Sequence, residues 1–213
     1  KTMYKFLIAD DHPLMREAII GSLSHSFDNV TFLESDSLES TLAVLRKRSN
    51  ISIIILDLTM PGCDKFYGLL RIKELFPAVP IIVLSASNSP EVISQVMSFG
   101  ADGFIAKTTG TKTIKDAILT ILNGGKWLSD AAKNSIVDIG NDAIDIADRS
   151  KTLTPKQFQV LKLVKDGLMN KQIASTLDVT EATVKAHIGV IFRKLDVKTR
   201  TQIVLAVDKL QLD

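Results

Sequence analysis

Short apolar runs alternate with amphipathic stretches over the first 124 residues. Tyr4–Ala9, Val30–Glu34, Ile51–Asp57, Pro80–Leu84 and Gly103–Ala106 are strand-like. The run Ile51-Ser52-Ile53-Ile54-Ile55-Leu56 is β-branched and almost unbroken, as a central parallel strand covered on both faces requires. Between these runs the period is helical. In the last such stretch Ile114, Ala117, Ile118, Ile121 and Leu122 form one apolar face, and Gly124-Gly125 stops it. Regular βα alternation predicts an α/β doubly wound sheet with helices on both sides.

The pattern changes after residue 124. Residues 125–150 are rich in Ala, Asp, Asn and Ile but poor in large anchors, and read as a linker. A helix is expected from about Asp130 to Ile139, and a mobile stretch from Asp142 to Ser150. From Thr152 onward the period is helical throughout. Thr154-Pro155 is an N-cap with proline in the first turn, and that helix runs to about Asp166, where Gly167 caps it. A short helix over Asn170–Leu177, a tight turn at Asp178-Val179-Thr180 and a longer helix over Glu181–Leu195 have the proportions of a helix-turn-helix. A last helix spans about Thr199–Leu210. The domains expected are therefore 1–124, a linker over 125–150, and an all-α four-helix unit over 151–213.

Charge sharpens this division. Residues 1–124 carry 12 Lys/Arg against 13 Asp/Glu, and residues 125–150 carry 3 against 5. Residues 151–213 carry 11 against 6, so the basic excess lies where a polyanion would bind. The single cysteine, Cys63, excludes an internal disulfide framework and a cysteine-based zinc finger. With no apolar stretch near membrane-spanning length and no signal-peptide pattern, the expectation is a cytoplasmic protein with no membrane contact.

Polar residues stand where the strand runs stop. The first strand ends in Asp10-Asp11, the third in Asp57, the fourth in Ser85, and Lys107 follows the fifth. A parallel sheet gathers these ends at one edge, where open α/β sheets bind ligands. A single strand-end Asp ordinarily caps a helix and a single Lys is ordinarily solvated, but four such ends together point to a site. Clustered carboxylates repel one another unless a cation joins them, and oxygen donors with room for water suit Mg²⁺ (or Mn²⁺). With a lysine and a hydroxyl to take phosphoryl charge, the chemistry implied is in-line phosphoryl transfer to a carboxylate.

Residues 4–124 resemble the receiver domain of response regulators, a (βα)5 flavodoxin-like fold. Asp10-Asp11, Asp57 within Asp57-Leu58-Thr59-Met60-Pro61-Gly62, Ser85-Ala86 and Lys107 match that family's motif in order and spacing. The resemblance implies that Asp57 accepts a phosphoryl group from a cognate histidine kinase or a small phosphodonor. It implies that Asp11, Asp57 and the Thr59 carbonyl bind the metal, with Asp10 acting largely through water. Lys107 and Ser85 would contact the phosphoryl oxygens, Ala86 would leave them accessible, and Phe104 matches the switch aromatic. One departure is plain: Cys63-Asp64-Lys65-Phe66-Tyr67 stands before Gly68, lengthening the loop after Asp57 by about three residues. That loop is placed to affect Mg²⁺ affinity, kinase docking or phosphoryl lifetime.

The C-terminal stretch resembles the LuxR-type helix-turn-helix, through Leu153-Thr154-Pro155, Gly167-Leu168-Met169-Asn170-Lys171-Gln172-Ile173-Ala174, Thr183-Val184-Lys185-Ala186-His187 and Lys194-Leu195. Together the two parts resemble the NarL/FixJ class. Val184, Ile188, Ile191 and Leu195 should face the core, which leaves Thr183, Lys185, Ala186 and Arg193 toward DNA. Lys185 can read guanine or grip phosphate, and Thr183 can contact phosphate. Asn170 and Lys171 are implied backbone contacts, and His187 is either a phosphate ligand or a structural histidine. Gly189 leaves a gap one turn beyond Lys185, and Gln157 stands where the family usually has Glu. Ile203, Val204 and Val207 lie on the stripe that the resemblance implies for a homodimer on DNA, although packing within its own domain claims part of it.

The function expected is a two-component response regulator. Phosphorylation at Asp57 would control dimerisation and binding to double-stranded DNA, possible partners including RNA polymerase. A phosphorylation-independent DNA-binding regulator is the alternative. A Mg²⁺-dependent phosphatase of the haloacid-dehalogenase type is remote, because that family needs a second Asp where Thr59 stands, and no turnover enzyme is expected.

Overall fold

The computed structural model describes residues 3–210, in two compact units that divide between Ile139 and Gly140. In the first, β1 (Tyr4–Ala9), α1 (Pro13–Ser24), β2 (Val30–Ser35), α2 (Leu38–Lys47), β3 (Ile53–Asp57) and α3 (Tyr67–Leu75) alternate. They are followed by β4 (Ile81–Ser85), α4 (Pro90–Ser98), β5 (Gly103–Ala106), α5 (Thr111–Leu122) and a single turn, α6 (Asp130–Lys133). The strands form one parallel sheet in the order β2-β1-β3-β4-β5. The order reverses at β1, so right-handed crossovers place α1 and α5 on one face and α2–α4 on the other.

Strand alternation fills both faces. Phe6, Ile8, Ile53, Ile55, Ile82, Leu84 and Ile105 join Ile19 and Leu23 of α1 and Ile114, Ile118 and Ile121 of α5 in one core. The alternate residues Leu7, Ala9, Ile54, Leu56, Ile81 and Val83 are fully buried as well. Phe27 stacks edge-on against Phe6 at 5.1 Å, closing the core below the α1–β2 turn.

The stretch read as a linker divides in two. Its first part belongs to the receiver-like unit. Trp127 pairs with the β5 edge: its N–H donates to the Asp102 carbonyl at 2.9 Å, and its own carbonyl accepts from Phe104 at 3.3 Å. The helix expected from Asp130 to Ile139 ends at Lys133. Beyond it the backbone is held elsewhere, since the Val137 N–H donates to Ser94 Oγ of α4 at 2.9 Å. Asp142–Ser150, expected to be mobile, is instead part of α7 (Asn141–Ser150), with Ala143, Ile146, Ala147 and Ser150 buried on one face. Small residues at helical spacing carry this packing, and their size concealed it in the sequence.

In the second unit α7 is followed by α8 (Pro155–Lys165), α9 (Asn170–Leu177), α10 (Glu181–Leu195) and α11 (Arg200–Asp208). Arg149 of α7 donates to the Leu195 carbonyl at the end of α10 at 3.1 Å, and Asp142 pairs with Lys209 at 3.3 Å. Leu153, Phe158, Leu161, Ile173, Val184, Ile191, Leu195 and Ile203 form the core. Asp178 leaves α9 in the left-handed region at φ 52°, and the Thr180 hydroxyl then caps α10 by accepting the Thr183 N–H at 3.1 Å. Gln157 completes a capping box, its Oε1 accepting from the Thr154 N–H at 3.0 Å and from Lys194 Nζ at 2.9 Å. The amide thus supplies the carbonyl oxygen that this corner needs.

Candidate functional site

Sheet register builds the acidic site. Ala9 pairs with Leu56, so the next residues, Asp10 and Asp57, lie level at the carboxyl edge of β1 and β3, where the strand order reverses. Both carboxylates are 2% exposed. Lys107, one residue past β5, reaches across with Nζ 3.2 Å from Asp10 Oδ2 and 3.3 Å from Asp57 Oδ1. Its backbone N–H is fixed by the Ser85 carbonyl at 2.8 Å, which ties the ends of β4 and β5 together. Asp11 is half-buried beside them.

Asp57 is also held by its own loop. The Thr59 hydroxyl donates to Asp57 Oδ2 at 2.8 Å, and the Thr59 N–H approaches Oδ1 at 3.3 Å. Ser85 is buried, with its Oγ accepting from the Ser87 N–H at 3.2 Å, while Ala86 is exposed next to it. Phe104 is buried on β5, one residue from the Trp127 bridge.

Two residues that sequence reasoning passed over complete the edge. His12 Nδ1 lies 2.8 Å from Asp10 Oδ1 and 3.1 Å from Asp11 Oδ1, and the His12 N–H also donates to Asp10 Oδ1 at 2.8 Å. Arg16 donates to the Asp10 carbonyl at 2.7 Å and pairs with Glu34 at 2.9 Å. The signal available was position alone: a histidine directly after a strand-end acidic pair.

The donor set suits a cation. Ligand atoms of Asp10, Asp11, His12 and Asp57 all lie within 4.8 Å of one another. Asp10 Oδ2 is buried and accepts no hydrogen bond, its cationic neighbour being Lys107. One ammonium facing three carboxylates leaves an acidic excess that a divalent ion offsets.

The long loop after Asp57 has its own hydrophobic anchor. Phe66 is fully buried and packs edge-on against Phe99 at 5.4 Å. Asp64 and Lys65 take left-handed backbone, φ 46° and 65°, to turn the chain back into α3. Cys63 is buried, and burial, with Asp57 nearby, pushes its thiol well above the ordinary range. It therefore stays protonated and packs as a small apolar group.

On the second unit, Lys171, Thr183, Lys185, Ala186 and Arg193 are exposed, and His187 is half-buried. Asn170 Oδ1 is engaged by Arg200 at 2.7 Å, and Arg200 also donates to the Leu168 carbonyl, so Asn170 helps fix α9 against α11. Asn170, Lys185, Ile188, Gly189, Phe192 and Arg200 line a surface groove of about 440 Å³. A Cβ built on Gly189 meets nothing within 4 Å. Gly189→Ala is therefore expected to stabilise the helical unit by about 0.5–1 kcal/mol, read as a higher urea midpoint. A lower midpoint would contradict the open space described.

The dimer stripe needs correction. Ile203 and Val207 are 0% and 1% exposed, covered by their own domain, and neither is available to a second copy. Val204 is partly exposed, and Leu205, which the stripe omitted, is 58% exposed on the outer side of α11.

Comparison with known proteins agrees with both halves. Residues 6–119 match the response regulator receiver domain, and residues 151–207 match the bacterial regulatory proteins of the luxR family. The glycerol metabolism activator of Pseudomonas putida is 38% identical over 209 residues, covering 96% of this chain and 95% of that protein. The nitrate/nitrite response regulator protein NarL of Escherichia coli K12 is 31% identical, covering 92% and 91%. The solved Salmonella typhimurium RcsB response regulator is 26% identical with a TM-score of 0.58, covering 98% and 99%. A structure of two RcsB dimers bound to two parallel DNAs is 25% identical, with the same TM-score and coverage of 98% and 100%. The two family matches cover the sheet unit and the helix-turn-helix unit in turn, and the chain belongs to the two-component response regulators of transcription that join a receiver domain to a LuxR-type DNA-binding domain.

Proposed function

We propose that Asp57 is the phosphoacceptor and that its phosphorylation, by a cognate histidine kinase or a small phosphodonor, controls DNA binding by the C-terminal unit. The observation that carries this reading is Lys107 Nζ lying within 3.3 Å of both Asp57 and Asp10, with Asp11 at the same edge. Asp11, Asp57 and the Thr59 carbonyl would hold Mg²⁺ (or Mn²⁺), and Asp10 would act through water. The ion would neutralise charge on the phosphoryl oxygens.

Asp57 carboxylate oxygen attacks phosphorus, a new P–O bond forms, and the donor leaves with the electron pair of the bond that breaks. Lys107 pairs with one phosphoryl oxygen, and the Ser85 hydroxyl turns from the Ser87 N–H to another. Ala86, exposed and bearing only a methyl group, leaves entry open. Movement of Ser85 draws on the β4–α4 loop, and Phe104 repacks with it, which changes the α4–β5–α5 face. Borohydride reduction of the phosphorylated chain, followed by peptide mass analysis, tests the assignment. The acyl phosphate is expected at residue 57, and modification at another residue would overturn it.

Output follows through α10. Thr183, Lys185, Ala186 and Arg193 are exposed on α10, Lys171 is exposed on α9, and His187 is half-buried. The protein is read as cytoplasmic and as binding double-stranded DNA as a homodimer, near RNA polymerase at promoters. Among the described residues no helix is long and apolar enough to cross a membrane. The dimer surface shifts to Val204 and Leu205. On a fragment selected by the wild-type protein from genomic DNA, Lys185→Ala is expected to weaken binding by about 1–3 kcal/mol, roughly five- to 150-fold. Unchanged affinity would remove Lys185 from the interface.

A further inference from the structure

We propose that His12 is a nitrogen ligand of the receiver's cation site and biases it toward later first-row divalent ions, Mn²⁺, Co²⁺ and Ni²⁺, over Mg²⁺. The proposal rests on the reading above that Asp11, Asp57 and the Thr59 carbonyl hold a cation, with Asp10 acting through water. It adds a donor of different chemistry to that set.

Geometry is the first support. His12 Nδ1 lies 3.1 Å from Asp11 Oδ1 and 4.0 Å from Asp57 Oδ2. An octahedral ion with bonds of about 2.1 Å separates neighbouring donors by about 3.0 Å and opposite donors by about 4.2 Å. Both separations fall within the span that two donors to one such ion can have. The imidazole stands at the mouth of the site, 62% exposed, while Asp10 and Asp57 form its floor at 2%.

Preorganisation is the second. His12 is the N-cap of α1, and Pro13 fixes the first turn. Its carbonyl accepts the N–H groups of Met15 at 3.1 Å and Arg16 at 3.2 Å, and its own N–H is bound to Asp10. Arg16 in turn grips the Asp10 carbonyl. The ring is therefore carried by a fixed backbone. Nδ1 serves two purposes according to tautomer. Bearing the proton, it donates to Asp10; with the proton on Nε2, it offers a lone pair to an ion.

Donor chemistry supplies the selectivity. Carboxylate, carbonyl and water donors alone suit Mg²⁺, a hard ion that gains little from imidazole. Nitrogen donors favour later ions in the Irving–Williams order. Asp10 Oδ2, buried and without a hydrogen bond, stays in the same site as a further anionic group.

The test is calorimetric titration of the metal-free full-length chain with MgCl₂, MnCl₂ and CoCl₂, for wild type, His12→Ala and His12→Asn. The Co²⁺-to-Mg²⁺ affinity ratio is expected to fall about tenfold or more in both variants, with Mg²⁺ affinity little changed. Asn can still donate to Asp10, so equal behaviour of the two variants separates ligation from hydrogen bonding. In parallel, spin-echo EPR of the Mn²⁺ complex should show coupling to an imidazole ¹⁴N that disappears in His12→Ala, with His25 and His187 still present. An unchanged ratio, or no nitrogen coupling in wild type, overturns the proposal. Asp57→Asn provides the separate control: if it leaves both Mg²⁺ and Co²⁺ binding intact, the cation reading itself fails.

Discussion

Asp57→Asn is expected to reduce uptake of label from acetyl phosphate by roughly three orders of magnitude or more. An amide oxygen is a poor nucleophile, so the substitution removes the attacking group while changing the shape of the site little. Lys107 keeps a carboxylate partner in Asp10 at 3.2 Å. Among the described residues, the hydroxyl bonded to Asp57 is that of Thr59, at 2.8 Å from Oδ2. Residual label in the variant should therefore be an alkali-stable ester on Thr59, whereas wild-type label should be an alkali-labile acyl phosphate. The double variant Asp57→Asn/Thr59→Ala should lose that residue of label too. Equal, alkali-labile labelling of wild type and Asp57→Asn would place the acceptor elsewhere.

Gly68→Ala should destabilise the receiver by about 2–4 kcal/mol. A Cβ at Gly68 would stand 2.8 Å from Cys63 Cβ and 3.0 Å from Cys63 Cα, and closer still to Sγ. Rotating the cysteine relieves only the sulfur contact, because the other two belong to the Cys63 Cβ and backbone. That backbone is pinned, with the Cys63 N–H bound to the Met60 carbonyl at 3.1 Å and its carbonyl accepting the Gly68 N–H at 2.8 Å. The long loop thus closes on α3 at a point where only glycine fits. Urea unfolding followed by far-ultraviolet circular dichroism should show the loss. Introduced beside Cys63→Gly, the same substitution should cost less, by at least about 1 kcal/mol. A Gly68→Ala protein as stable as wild type would mean that the loop yields easily.

The parts legible in sequence were those in which one physical requirement acts alone. The five strands were read to within two residues: β3 and β4 are fully buried and carry near-continuous apolar runs, and β1, β2 and β5 are short apolar runs between turn and helix patterns. The bounds of α9 and α10 were read as they stand, because Asp178, Thr180 and the apolar period all mark the same turn. Failures arose where two requirements compete. In α7 three of the four buried residues, Ala143, Ala147 and Ser150, are small, and they look the same as a loop rich in small residues. In α11 Ile203, Val204, Leu205, Ala206 and Val207 surround the helix, so its period does not identify the inward side; Ile203 and Val207 went to the core. His12 shows a different limit. Asp10 and Asp11 directly precede it, but Asp57 is brought beside it by register between β1 and β3, a long-range fact carried by no local spacing.

The Trp127 bridge bears on solubility as well as on architecture. A sheet ending at β5 would present unpaired amide and carbonyl groups to any other extended chain, a ready template for intermolecular pairing. Trp127 occupies that template by taking the Phe104 N–H and the Asp102 carbonyl for itself. A Cβ built on Gly103, between them, would stand 2.8 Å from Ile121 Cδ1 and 3.2 Å from the Trp127 carbonyl oxygen, so a side chain there would press on both. The strap therefore guards one end of the sheet against aggregation, and the bare glycine beneath it is what lets the guard lie flat.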